Sequence, residues 1–253
     1  MPTDLSVAEH LEGLRAAMVA FSRYADEAGV DAAVPTCPGW TVRDLIAHQG
    51  MVHRWSAACL RLEQVDEPEA WEREGRTVDD AVGWLEDGAI ELVETIVKAP
   101  EDVPAVVFLK EPPAPKAFWA RRQCHETTMH AVDAMSAALG RYPAPDETGI
   151  SPELAADGIE ELLVGFLQRS KTRLRPEVAG TQVVAPDGGD WFSLSLGPDA
   201  APRTTRHSGE PVQPGDWTLT GRAVDVYLQL WNRHAAADGA LAPDWATSAN
   251  ITW

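Results

Sequence analysis

Four stretches in which apolar side chains recur every three or four residues fill most of the first 139 positions, and prolines or glycines separate them. That spacing gathers the apolar residues on one helix face, and four such helices bury those faces against one another as an antiparallel four-helix bundle. The first helix runs over 6–29, with Ala8, Leu11, Leu14, Met18 and Phe21 inside and Gly29 as its stop. After the loop VPTCPGW, Thr41 is placed to cap a second helix reaching about residue 62, with Asp44 in its first turn. The third, 77–98, carries Val82, Leu85, Ile90, Val93 and Val97 inside and acids outside. APEDVPAVVFLKEPPAPK, with five prolines, is a long connection with room for one short strand, and the fourth helix covers 117–139.

The texture changes after GRYPAPDETGISPE, a polar Pro/Gly-rich stretch that divides the chain into a bundle at 1–145 and a second domain at 146–253. There a helix, ELAADGIEELLVGFLQRSK, leads into the alternating runs TQVVA, DWFSLSL, RTTRHS and DWTLTG, separated by turn residues. These predict a small antiparallel sheet. A last helix, RAVDVYLQLWNRH, precedes an irregular tail, so the chain as a whole reads as a two-domain α+β protein.

With 21 basic and 39 acidic side chains the formal charge is −18, which repels phosphate backbones and argues against nucleic acid or an anionic membrane as partner. An anionic small substrate would need a local positive centre to enter against that field. The odd, widely spaced set Cys37, Cys59 and Cys124 suits a reducing compartment. No run approaches the ~18–20 apolar residues of a membrane helix, and the first residues lack a basic segment before an apolar core, so a cytoplasmic location is expected.

Polar residues sit where the bundle should be apolar. Leu45, His48, Val52, Trp55 and Cys59 form one stripe of the second helix, and in RRQCHETTMHAVDA Glu126 and His130 share a face of the fourth. His125 is rotated off that face, and its five-residue distance from His130 is not the zincin spacing. Taken singly, His48 reads as a core histidine bonded to a neighbour, and Glu126 with His130 as an exposed contact worth ~0.2–0.5 kcal/mol. Taken together they change meaning, because a buried carboxylate needs a compensating positive charge. A divalent metal answers that need for all three at once. Two imidazoles and one carboxylate suit zinc with an open fourth position, and also iron, nickel or manganese.

Arg122 and Asp133, on the same stripe, either orient such ligands or are solvated charges. His53 and His125 read as surface or rim histidines. No GxGxxG, Walker-type or GxSxG motif is present, and Cys37, with no basic neighbour in PTCPGW to activate it, reads as structural.

VPTCPGWTVRDLIAHQGMVHRW resembles the N-terminal signature of the mycothiol-dependent maleylpyruvate isomerase family, a broad actinobacterial group, and RRQCHETTMHAVDA resembles its fourth helix. WTLTGRAVDVYLQLWNR is similar to the family's C-terminal module, which is like sterol-carrier-protein folds. The resemblance implies a DinB-like bundle with His48, Glu126 and His130 as metal ligands. It also implies Arg233 as a catalytic arginine holding a substrate carboxylate, with Arg222 as a second candidate. The expected cofactors are a divalent metal, best zinc, and mycothiol; the partners are that low-molecular-weight thiol and a small electrophilic substrate. The expected reaction is thiol attack, as an isomerase or a mycothiol S-transferase. Two other readings use the same ligands: a metal-dependent hydrolase with Asp133 or His53 as base, and a non-catalytic, metal-stabilised ligand-binding module.

Overall fold

Each of the first two helices begins where side chains satisfy its first backbone N–H groups. Ser6 and Glu9 form a reciprocal capping box before α1 (Val7–Ala28), and Thr41 and Asp44 form another before α2 (Val42–Leu60). The computed structural model describes residues 5–209 and 214–249, in two units: a helical one, 5–108 with Pro113–Pro143, and a C-terminal one, Leu109–Pro112 with 144–209 and 214–249. No helix among the described residues is long and apolar enough to cross a membrane.

The helical unit continues with a short α3 (Glu69–Gly75), α4 (Ala81–Lys98) and α5 (Pro115–Leu139), the last ended by Gly140 in the left-handed region at φ 64°. Residues 99–114 contain no strand. α5 packs along α1, and α2 packs on both α4 and α5. α2 and α5 run antiparallel: Trp55 meets Trp119 with ring centroids 5.4 Å apart, while His48 meets His130 at 5.2 Å.

Of the predicted inner face of α4, Leu85 is buried as expected, but the face is shifted toward residues not predicted. The buried residues are Ala81, Trp84, Leu85, Gly88, Ala89, Leu92 and Ile96, whereas Ile90 and Val97 are 59% and 60% exposed. Small residues decide this. The Trp84 ring lies against Gly50 and Gly75, and the Arg54 guanidinium stacks on it at 3.8 Å, an approach that branched side chains would block.

α5 departs from amphipathic patterning altogether. Every residue from Phe118 to Ser136 is buried, including Arg121, Arg122, His125, Glu126, His130 and Asp133, so its polar groups must find partners inside the protein.

In the C-terminal unit α6 (Pro152–Glu160) widens into a π-helical segment, Glu161–Phe166, in which Leu167 N–H reaches back to the Leu162 carbonyl. Strands β1 (Gly180–Pro186), β2 (Trp191–Leu196), β3 (Arg203–His207) and β4 (Trp217–Gly221) fall where alternation placed them. Their order is β3-β2-β1-β4, and β4 pairs parallel to β1, so the sheet is mixed and not antiparallel as expected. Alternation marks which face a strand buries but carries no information on which neighbour it pairs with.

α7 (Ala223–Leu230) is shorter than predicted. Asn232 takes the left-handed conformation at φ 62° and Arg233 N–H bonds back to the Leu228 carbonyl at 2.7 Å, a turn that ends the helix before Arg233. Within the predicted irregular tail a short α8 (Trp245–Ser248) forms, and Trp245 Nε1 donates to the Leu230 carbonyl at 3.0 Å.

Candidate metal centre

α2 and α5 bring His48, Glu126 and His130 together although 78 residues separate the first two. Glu126 Oε1 lies 3.7 Å from His48 Nε2 and 3.5 Å from His130 Nε2. One donor atom from each residue lies within 4.8 Å of the other two. Those separations are long for hydrogen bonds. They are close to the ~3.3 Å between two donors each ~2.0–2.1 Å from a tetrahedral zinc.

The remaining polar atoms of two of these side chains are engaged. Arg122 Nη2 donates to Glu126 Oε2 at 2.8 Å, which leaves Oε1 turned toward the histidines. His130 Nδ1 lies 2.9 Å from Asp133 Oδ2, so the proton of a neutral ring belongs on Nδ1 and the Nε2 lone pair faces the centre. A donor set with its ring tautomer and carboxylate held in this way fits a divalent cation.

Burial pushes the Glu126 carboxyl up, but Arg122 and the two histidines outweigh it and hold the group well below the usual carboxylate range. Burial likewise pushes the His130 imidazole down, while Asp133 and Glu126 more than reverse this and raise it. Side-chain exposures of 13% for His48, 10% for Glu126 and 11% for His130 leave the centre shielded but reachable.

The loop before α2 roofs the centre with an aromatic ring. Thr36 Oγ1 and Ser136 Oγ are 2.9 Å apart, Cys37 Sγ donates to Asp133 Oδ2 at 3.3 Å, and an Ala33–Thr41 bridge closes the loop base. Trp40 is thereby held edge-on to His48, with centroids 5.3 Å apart, and nearly parallel to His130 at 6.4 Å. Sequence reasoning did not single out Trp40.

The model of the mycothiol maleylpyruvate isomerase N-terminal domain matches residues 11–135, and that of the same family's C-terminal domain matches 153–249. The chain belongs to that family. Two solved structures share its fold: a mycothiol-dependent maleylpyruvate isomerase (17% identity, 94% of each chain covered, TM-score 0.57) and a histidine-to-alanine mutant of a mycothiol-dependent maleylpyruvate isomerase (16%, 93% of each chain, 0.59). No curated protein matches the chain.

Other candidates in this family member resolve differently from their sequence reading. His53 and His125 are fully buried, not at the surface or rim. His125 meets the His10 ring edge-on at 6.1 Å, and His53 Nε2 lies 2.9 Å from Thr127 Oγ1 and 2.7 Å from Gln49 Nε2. The signal for the second cluster was available: Gln49 and His53 are one helical turn apart, and Thr127 adjoins Glu126. As bases for a hydrolase, Asp133 is engaged by His130 and Cys37, and His53 is enclosed in the bundle. Cys37, bonded to that carboxylate, fits its structural reading.

In the C-terminal unit Arg222 stands at the start of α7, ion-paired with Asp225 and Asp146. Arg233 follows the left-handed turn, and its Nη1 donates to the Trp231 carbonyl at 2.8 Å.

Proposed function

We propose that His48, Glu126 and His130 hold a divalent metal, with zinc the best match to the donor set, and that the chain uses a mycothiol-type thiol against a small electrophile. The reaction is an isomerisation of the maleylpyruvate type or an S-transfer. The observation that carries the reading is the convergence of two imidazole Nε2 atoms on Glu126 Oε1 at 3.7 and 3.5 Å, with Glu126 Oε2 and His130 Nδ1 tied to buried partners. Family membership supplies the thiol.

A divalent ion at this position supplies a positive centre that lowers the pKa of a thiol. Arg122 keeps Glu126 ionised, and Asp133 keeps the His130 proton on Nδ1. Trp40 packs against both imidazole rings and helps hold their orientation. Two neutral imidazoles, one carboxylate and a divalent ion leave a local charge of about +1, the positive centre that a chain of charge −18 needs to admit an anion.

Calorimetric titration of mycothiol into zinc-loaded protein, metal-free protein and a His48→Ala variant, in buffers of two ionisation enthalpies, tests this. Binding that needs the metal and releases a proton is expected. Binding that is indifferent to the metal, or absent from the loaded protein, would sink the reading.

A further inference from the structure

Directly beside the three proposed ligands lies a second polar cluster. Gln49, His53 and Thr127 are all fully buried, and they join α2 to α5 through a triangle of contacts. The Gln49 amide nitrogen donates to Thr127 Oγ1 at 3.1 Å and lies 2.7 Å from His53 Nε2, which is itself 2.9 Å from Thr127 Oγ1. Gln49 adjoins His48, and Thr127 adjoins Glu126.

As a source of stability the cluster is a poor choice. Its hydrogen bonds return little net stability, while Gln49 Oε1 and His53 Nδ1 are buried with no hydrogen-bond partner among the described residues, which costs more than such a bond returns. Apolar side chains of similar size would serve a bundle core at least as well, so a buried polar cluster of this kind finds its use in fixing register between helices. Register matters here because donor positions must hold to within about 0.2 Å for a metal, whereas a one-residue slip along a helix is about 1.5 Å.

We propose that Gln49, His53 and Thr127 are positioning residues that lock α2 against α5 and so set the placement of His48 relative to Glu126 and His130. The proposal rests on the metal reading of those three residues.

The test replaces the cluster with apolar groups, Gln49→Leu, His53→Leu and Thr127→Val together, and measures zinc affinity by chelator competition and the visible spectrum of the cobalt-substituted protein, beside urea stability. The expected result is stability equal to or above that of the unaltered protein, zinc affinity at least tenfold weaker and a changed cobalt spectrum. Unchanged affinity and spectrum would overturn the proposal. Should the triple variant fail to fold, Thr127→Val alone is read by the same criteria, with Thr127→Ser, which keeps the hydroxyl, expected to restore affinity. Absence of zinc binding by the unaltered protein would refute the metal reading itself, whereas equal binding by all variants refutes only the positioning role.

Discussion

Arg122 Nη2 donates to Glu126 Oε2 at 2.8 Å, one turn away on α5, and both side chains are buried. The guanidinium is thus the cation that allows a carboxylate to remain ionised inside the bundle, while the other carboxylate oxygen faces two imidazoles.

Removing that cation should leave only the two imidazoles to balance Glu126. Arg122→Met is expected to cost about 3–5 kcal/mol in metal-free protein, measured by urea denaturation, because one partner of a buried pair is lost. Added zinc should recover part of the loss by replacing the missing positive charge. An equal loss with and without zinc would contradict the arrangement.

Asp133 determines which nitrogen of His130 faces the centre. Asp133→Asn retains the shape but weakens the hold on the Nδ1 proton, so zinc affinity should fall about 10- to 100-fold, read by chelator competition. Circular dichroism should stay unchanged.

His53 is enclosed, and burial pushes its imidazole down to about 3, while an unfolded chain titrates near 6.5. Between those values the unfolded state binds the extra proton, so His53 favours folding above pH 6.5 and lowers stability as the pH falls. Glu126, held low, contributes a loss of its own only below its unfolded value of about 4.5, and the raised His130 acts above 6.5. The window from pH 6.5 to 4.5 therefore isolates His53. Metal-free protein should lose about 2–3 kcal/mol across it, and His53→Leu should flatten that slope; identical slopes would refute the assignment.

Gly50 tests how closely α2 and α4 approach. A Cβ there would overlap the Trp84 ring, which Arg54 holds in place. Gly50→Ala should cost about 1–3 kcal/mol by overpacking even though alanine is the better helix former by ~1 kcal/mol, and urea midpoints would show it. A gain in stability would mean that the contact is loose.

Much of the architecture could be read locally. Thr41 with Asp44 announced the start of α2, and three-residue and four-residue spacing placed His48, Glu126 and His130 on inward faces, because caps and helical periodicity depend only on neighbours along the chain. Where the reading failed, the deciding partner was distant. Ile90 and Val97 look like core residues, yet Gly50, Gly75 and Trp84 set which side of α4 meets α2. His53 and His125 look like rim histidines, yet His53 on α2 is buried against Thr127 of α5, and His125 lies in the stretch of α5 that is buried all round.

What the sequence determined by itself is the supply of donors, the helix faces that carry them and the alternation of the strands, since each follows from backbone geometry over a few residues. Only the tertiary structure decided that Glu126 Oε1 stands between His48 and His130, that Arg122 and Asp133 turn inward, and that β4 adds to β1 in parallel. Those outcomes depend on packing between segments far apart in the chain, where a shift of one residue changes which atoms meet.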